Sequence, residues 1–273
     1  MKLIAKVEKF YYKIFFKLFR KFKPKKFNMV TFENFLNVFL AFEKNLPKCN
    51  LLTLPSIPFN KKRYELLTRQ IGTQPTEAFF LIRCIHESLK VEGICCEFGV
   101  AQGQTSVLIA NELKEYSNKT LYLFDSFEGL PKPTKEDKLI DDIFEYGDIM
   151  RYQGSMKCPQ KSVIKKLAEI NMDKKRYKII PGFVDESFIK NNNLPYVSFA
   201  YIDFDFYDPI RIVLESLLRK LRKGSIIVVD DYDYFSSGVK LAVDNFLNDN
   251  KEVFESYVAP KYIGNFIVLK CIK

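Results

Sequence analysis

Tyr201-Ile-Asp-Phe-Asp-Phe-Tyr-Asp208 is an apolar run that ends in carboxylates, and Ser225-Ile-Ile-Val-Val-Asp-Asp-Tyr232 is a second run of this kind. Apolar residues without helical spacing predict strands that are buried on both faces. Between the two runs, residues 209–221 carry apolar side chains at helical spacing, and Gly224 is predicted to end that helix. A strand, a crossover helix and a second strand predict two parallel, neighbouring strands, which indicates an α/β fold.

Carboxylates follow both predicted strands at the point where each strand ends. The carboxyl ends of parallel neighbours meet at one edge of the sheet, so we expect Asp203 and Asp205 to face Asp230 and Asp231. Carboxylates this close repel one another unless a cation joins them, and oxygen ligands favour Mg²⁺ or a similar divalent cation. Alternatively, Asp230 and Asp231 only cap the helix that follows.

Length and composition indicate one large α/β domain with additions, because the chain has 273 residues and is 47% hydrophobic. The six cysteines show no metal-site spacing, and Cys95 and Cys96 are predicted to be buried thiols of a cytoplasmic protein. The single histidine, His86, lies outside the motifs, which argues against a Ser-His-Asp triad. No apolar run reaches the roughly 18 residues of a transmembrane helix.

The basic charge is concentrated at the N-terminus. Residues 1–26 carry +9 of the net charge of +10, and the nearly neutral remainder argues against nucleic acid as a partner. Residues 1–22 predict a helix with basic residues opposite aromatic ones, suited to the anionic inner face of a membrane. Packing on the protein itself or on a second subunit is the alternative. The predicted domains are the basic segment 1–26, a helical appendage or lid over 27–90, and the main domain 91–273.

A glycine turn follows another predicted strand, in Gly93-Ile-Cys-Cys-Glu-Phe-Gly-Val-Ala-Gln-Gly103. Gly99 and Gly103 are expected to let the backbone come close to a ligand. The next strand ends in Asp125, a carboxylate suited to accept the ribose hydroxyls of a nucleoside. The turn is not G-x-G-x-x-G, and no phosphate loop is present, which argues against a dinucleotide-binding oxidoreductase. A nucleoside without a pyrophosphate, such as S-adenosylmethionine, is therefore favoured over NAD or ATP.

These motifs, in this order, resemble the macrocin O-methyltransferase (TylF-type) family over roughly residues 60–250. The resemblance is carried by four blocks, Glu97-Phe-Gly-Val…Gly103, Leu123-Phe-Asp-Ser-Phe-Glu-Gly-Leu-Pro131, Asp203-Phe-Asp-Phe-Tyr207 and Val228-Val-Asp-Asp-Tyr232. It implies a Rossmann-like class I methyltransferase fold, a seven-stranded, mostly parallel sheet with helices on both faces and an N-terminal helical extension. It also implies methyl transfer from S-adenosylmethionine to a sugar hydroxyl with Mg²⁺ or another divalent cation.

The resemblance also implies site residues. The implied cofactor contacts are Glu97, Gly99, Gly103, Asp125, Ser126, Phe127, Gly182 and Phe183. The implied metal ligands are Asp203, Asp230 and Asp231. The proton of the acceptor hydroxyl would pass to Asp203 or, as the alternative, to Asp205.

The sequence departs from the family pattern beside the pocket. The usual D-G-D-x-Y-E-S-T reads Asp203-Phe-Asp-Phe-Tyr-Asp-Pro209, and Ala101 and Gln102 replace a large aromatic residue and an arginine. These departures bear on the implied sugar substrate. The sequence leaves open whether that sugar is free, nucleotide-linked or lipid-linked. A catechol-type O-methyltransferase and a catalytically silent membrane-bound scaffold are the rival functions, and a homo-oligomer is compatible with the sequence.

Overall fold

The computed structural model describes residues 49–53 and 56–273, which are built on one seven-stranded sheet. The strands are β1 (Ile94–Phe98), β2 (Leu121–Asp125), β3 (Tyr177–Pro181), β4 (Val197–Ile202), β5 (Leu221–Val229), β6 (Phe254–Val258) and β7 (Ile267–Cys271). Their order is β3-β2-β1-β4-β5-β7-β6. The first five strands are parallel, and β7 pairs antiparallel with both β5 and β6. The predicted α/β class and the mostly parallel sheet are confirmed.

The helices between the strands form two groups. They are α1 (Lys61–Leu67), α2 (Pro75–Ser88), α3 (Gln104–Leu113), α4 (Gln160–Glu169), α5 (Glu186–Asn192), α6 (Tyr207–Leu218) and α7 (Ser237–Asp249). Helices α1, α2 and α4 pack against α3, whereas α5 and α7 pack against α6. The chain winds outward from β1 in one direction and from β4 in the other, and right-handed crossovers then place α3 and α6 on opposite faces. The order reverses between β1 and β4, where open α/β sheets bind ligands.

Apolar burial explains why β4 and β5 lie at the centre of the sheet. All six residues of β4 are buried, as are the last five of β5. The two strands are parallel neighbours, with Ile202 opposite Val229, as the sequence predicts. Strands without a polar face can only lie inside a layer that helices cover on both sides. Carboxylates directly after these strands therefore emerge at a single edge of the sheet.

The end of the crossover helix and the start of β5 differ from the prediction. Helix α6 ends at Leu218, and β5 already begins at Leu221, so Gly224 lies within a strand. Gly224 has a φ of 90°, and a Cβ there would lie 3.0 Å from a side-chain carbon of Val91. The β4–β5 register also shifts between Val197 and Phe199. The glycine therefore accommodates an irregular, crowded strand start rather than ending the helix.

The N-terminal predictions fall partly outside the described residues. The amphipathic segment 1–22, and the larger part of the appendage predicted over 27–90, lie there. Helices α1 and α2 belong to the compact unit Asn50–Lys273, and α2 packs on β4 and β5. The predicted boundary at residue 90 stays a prediction. Within the described part of the chain, no helix combines the length and apolar character required to cross a membrane.

Candidate active site

Three carboxylates meet at the carboxyl ends of β4 and β5. Asp203, Asp205 and Asp231 each place one oxygen within 4.8 Å of the others, and we refer to them as the carboxylate group. Asp205 and Asp231 have φ values of 63° and 53°, in the left-handed region. Asp tolerates that conformation better than most residues do, so these positions suit aspartates in a tightly turning backbone.

Burial and mutual repulsion raise the pKa of every member of the carboxylate group. Burial is the largest cause for each, followed by Asp230 for Asp203, by Asp203 for Asp205, and by Asp230 for Asp231. Crowded, buried carboxylates are stabilised by a shared proton or by a cation. An all-oxygen donor set of this kind fits a hard divalent cation such as Mg²⁺.

Asp230, which the sequence predicts as a ligand, lies next to the carboxylate group but is not one of the three residues that meet within 4.8 Å. Its Oδ2 accepts the hydroxyl of Tyr201 at 2.5 Å, and its Oδ1 accepts the backbone N–H of Asp231 at 2.9 Å. The structure thus brings Asp203, Asp205 and Asp231 within reach of one cation, and the predicted role of Asp230 as a ligand stays a prediction.

The alternative that Asp230 and Asp231 cap the next helix is wrong. Helix α7 begins after Ser236, whose side chain accepts the backbone N–H of Gly238. Glu77, which no sequence motif indicates, lies in the first turn of α2 and is buried near Asp230. An acidic residue after a proline at a helix start is ordinary, so no local signal marks Glu77 as part of the site.

The long connection after β2 packs on the same edge of the sheet. Asp137 accepts the backbone N–H of Tyr207 and the hydroxyl of Ser236, both at 2.9 Å, which ties the connection to the starts of α6 and α7. The side chains of Leu130, Tyr152, Phe206 and Phe235 form a buried cluster beneath it. The connection therefore forms one wall next to the carboxylate group.

Glu97, at the end of β1, is fully buried. Its Oε1 accepts the hydroxyl of Thr105 at 2.6 Å, and its Oε2 has no hydrogen-bond partner among the described residues. Burial raises the pKa of Glu97 to about 8, although the nearby hydroxyls of Ser106 and Thr105 act to lower it. A buried acceptor without a donor at the point where the strand order reverses fits a ligand that carries an N–H or O–H group.

Gly99 and Gly103 are explained by contacts within the protein. Both have a left-handed φ, 90° and 80° respectively. A Cβ on Gly99 would overlap the carbonyl oxygen of Asp203, and a Cβ on Gly103 would lie 3.1 Å from Val163. The close packing of β1 against β4, and of α3 against α4, accounts for these glycines. Their contact with the cofactor stays a prediction.

Asp125 organises the glycine turn. Its Oδ2 accepts the backbone N–H groups of Val100 and Ala101 at 2.7 and 2.8 Å, and its Oδ1 accepts that of Phe127 at 2.6 Å. A carboxylate has about four acceptor positions, so there is capacity for a further donor such as a ribose hydroxyl. Ser126 hydrogen-bonds within the adjacent turn, to the carbonyl oxygen of Gly129 and the N–H of Glu128.

The remaining predicted cofactor contacts follow β3. Gly182 donates its N–H to the carbonyl oxygen of Asp125 at 2.9 Å, and the side chain of the next residue, Phe183, is 44% exposed. Phe127 has a φ of 56° and is partly buried. The structure thus gathers the predicted cofactor residues at the carboxyl ends of β1, β2 and β3, and the predicted carboxylates at those of β4 and β5.

The chain is similar in sequence to known O-methyltransferases. A sequence model of the family described as macrocin-O-methyltransferase (TylF) matches residues 80–256. Mycinamicin III 3''-O-methyltransferase from Micromonospora griseorubida is 24% identical over 161 residues, which cover 56% of this chain and 61% of that protein. The 8-demethyl-8-(2,3-dimethoxy-alpha-L-rhamnosyl)-tetracenomycin-C 4'-O-methyltransferase from Streptomyces olivaceus is 22% identical over 144 residues, covering 52% of this chain and 54% of the relative. The matches thus span under two thirds of either relative.

Solved structures show the same fold. The O-methyltransferase NovP aligns with a TM-score of 0.62 at 15% identity, over 89% of this chain and 99% of NovP. The calicheamicin methyltransferase CalS11 aligns with a TM-score of 0.58 at 19% identity, over 90% of this chain and 94% of CalS11.

Proposed function

The chain belongs to the macrocin O-methyltransferase (TylF) family, and from this premise we propose that it transfers a methyl group from S-adenosylmethionine to a sugar hydroxyl, with a divalent cation bound. The observation that carries the proposal is the carboxylate group, Asp203, Asp205 and Asp231, beside the ends of β1 and β2. One of the two relatives is named for a rhamnosyl substrate, which supports a sugar as the acceptor.

We infer that S-adenosylmethionine lies across the ends of β1, β2 and β3. The partnerless Oε2 of Glu97 suits an amino group, and the remaining acceptor position of Asp125 suits a ribose hydroxyl. The further contacts proposed for the cofactor are Gly99, Gly103, Ser126, Phe127, Gly182 and Phe183.

Asp203, Asp205 and Asp231 would hold Mg²⁺ or another divalent cation, and Asp230 is a further candidate ligand next to them. When bound, S-adenosylmethionine supplies a methyl group on a sulfonium, and a cation supplies positive charge that lowers the pKa of a nearby hydroxyl.

The residues of the chain would position the acceptor and take its proton. Asp203, or alternatively Asp205, would accept the hydroxyl proton at a carboxylate oxygen. The methyl group would pass directly from the sulfonium to the acceptor oxygen as its carbon–sulfur bond breaks, so no residue of the chain would need to form a covalent intermediate. Holding oxygen and methyl carbon in contact can contribute ~7–11 kcal/mol to the acceleration.

We further propose that the protein is cytoplasmic and that residues 1–22 bind an anionic membrane surface. The support is the charge distribution of the sequence, since residues 1–26 carry nearly all of the net charge. A lipid-linked sugar would then be presented at that surface, whereas a free or nucleotide-linked sugar would not require it.

The test of the proposed function uses the full chain with S-adenosylmethionine and two sets of acceptors, nucleotide-linked or glycosidic sugars and simple catechols. We expect methyl transfer to a sugar, its loss with a chelator and its return with Mg²⁺. Transfer to catechols alone would replace the sugar assignment, and transfer that persists in excess chelator would refute the role of the cation. Failure to bind S-adenosylmethionine in calorimetry would favour the silent scaffold.

A further inference from the structure

Tyr201 places a hydroxyl inside the apolar interior, two residues before Asp203. It lies on β4, whose six residues are all buried, and none of its surface is exposed. A buried hydroxyl requires a hydrogen-bond partner, because a donor left unpaired in the interior destabilises the fold. A phenylalanine would fill nearly the same space without that requirement, so the hydroxyl calls for an explanation beyond packing.

The partner of this hydroxyl is the side chain of Asp230, to which Tyr201 donates at 2.5 Å. The sheet register explains why the two groups meet. Tyr201 is paired with Val228 on β5, and Asp230 follows Val228 by two residues. Asp230 continues the ladder, because its backbone N–H donates to the carbonyl oxygen of Ile202 at 2.9 Å. Side chains two apart along a strand lie on the same face, so Tyr201 and Asp230 share one face of the sheet.

Asp230 connects Tyr201 to the carboxylate group. Its Oδ2 accepts the Tyr201 hydroxyl, and its Oδ1 accepts the backbone N–H of Asp231 at 2.9 Å. Asp231 is a member of the carboxylate group, so two hydrogen bonds lead from β4 to that group. Asp230 is only 8% exposed, so water has little access to replace a lost donor. Of the two bonds, the one from Tyr201 can be removed by a substitution that alters neither a carboxylate nor the backbone.

Resting on the function proposed above, we propose that Tyr201 is a positioning residue of the cation site, whose hydroxyl fixes the carboxylate of Asp230 beside the carboxylate group. It acts through Asp230 and is not assigned a contact with cation, cofactor or substrate, because it is fully buried. Without the hydroxyl, Oδ2 of Asp230 loses this donor, and the carboxylate can rotate away from its place next to Asp231. Groups that orient metal ligands typically change metal affinity or activity about 10–100-fold when they are removed.

The test uses Tyr201→Phe, which removes the hydroxyl and keeps the ring. The matched control is Tyr152→Phe, because Tyr152 is also fully buried and donates its hydroxyl to a carboxylate, that of Asp142, at 2.6 Å. Asp142 is not part of the carboxylate group, and the Tyr152 hydroxyl also accepts the backbone N–H of Phe144 at 2.9 Å. The control therefore loses at least as many hydrogen bonds. The full-length wild type and both variants are compared by calorimetric titration with Mg²⁺, by thermal melting with a chelator and by crystallography without added cation.

For Tyr201→Phe we expect the Mg²⁺ affinity to fall about 10–100-fold and the carboxylate of Asp230 to be rotated in the crystal structure. Tyr152→Phe should bind Mg²⁺ as the wild type does, although its melting temperature falls at least as far.

Three results would overturn the inference about Tyr201 while leaving the cation in the proposed function. They are an unchanged Mg²⁺ affinity in Tyr201→Phe, an unmoved Asp230 in that variant, and an equal loss of affinity in Tyr152→Phe. A Tyr201→Phe protein that no longer unfolds cooperatively would make Tyr201 a structural residue and overturn the inference as well. If the wild type itself binds no Mg²⁺, the proposed function loses its metal and the inference about Tyr201 falls with it.

Discussion

Replacing Asp231 with Asn tests whether the carboxylate of Asp231 binds a cation or whether the residue only forms a turn of the backbone. The change removes one charge from the carboxylate group and keeps the size of the side chain, and Asn adopts the left-handed φ of 53° as readily as Asp does. Two ionised carboxylates at the 4.8 Å limit of the group repel by about 3.5 kcal/mol at an effective dielectric constant of about 20. The raised pKa values mean that this repulsion is only partly present at neutral pH.

We therefore expect the cation-free Asp231→Asn protein to be more stable by about 0.5–2 kcal/mol, a common gain from an improved charge arrangement. For a domain of this size the gain corresponds to a rise of about 1–8 °C in melting temperature. Methyl transfer with Mg²⁺ should fall by about 100-fold or more, because a ligand charge is lost. The two assays, thermal melting with a chelator and methyl transfer with Mg²⁺, are made on the same preparation.

The matched control is Asp233→Asn, two residues further along the chain. Asp233 also has a left-handed φ, 62°, but it faces Lys240 at 3.9 Å and is not part of the carboxylate group. It should leave both activity and melting temperature nearly unchanged. Full activity in Asp231→Asn, or a drop in its melting temperature together with an equal drop in the control, would refute the reasoning.

Three further outcomes are expected. Asp125→Ala should weaken S-adenosylmethionine binding by about 1–3 kcal/mol in calorimetry, since it loses an acceptor and loosens the turn at Val100; unchanged affinity would remove Asp125 from the site. The pKa of Glu97 is about 8 in the folded protein against an ordinary 4.5, so Glu97 increasingly destabilises the folded state as the pH rises from 4.5 to 8. In the absence of cofactor, the free energy of unfolding of Glu97→Gln should therefore decrease less over this pH range than that of the wild type. Identical pH profiles of the two proteins in denaturant titrations would contradict this prediction. Removing residues 1–26 should abolish flotation with anionic liposomes, since each basic residue contributes ~1 kcal/mol; equal flotation of both chains would favour a packing role.

The fold follows from patterns that are local in the sequence. The unbroken apolar runs of β4 and β5 have no polar face, so they could only become inner strands, and the helical spacing between them required a crossover. The same logic placed Glu97, Asp125, Asp203 and Asp231 at strand ends, which are positions along the chain and need no knowledge of packing. Even so, the start of β5 was displaced, because the crowding of Gly224 against Val91 is a contact between distant segments.

Side-chain direction within the site was decided only by the tertiary structure. Asp230 and Asp231 are adjacent in sequence, yet the first accepts the hydroxyl of Tyr201 while the second meets Asp203 and Asp205. The sequence predicts Gly99 as a cofactor contact, and only the structure shows that a Cβ at this position would overlap the backbone of Asp203. Sequence determines where a strand ends, because that depends on local apolar pattern. The directions of the carboxylate side chains depend on contacts between elements that are far apart in the chain. These contacts exist only once the strands and helices have packed together.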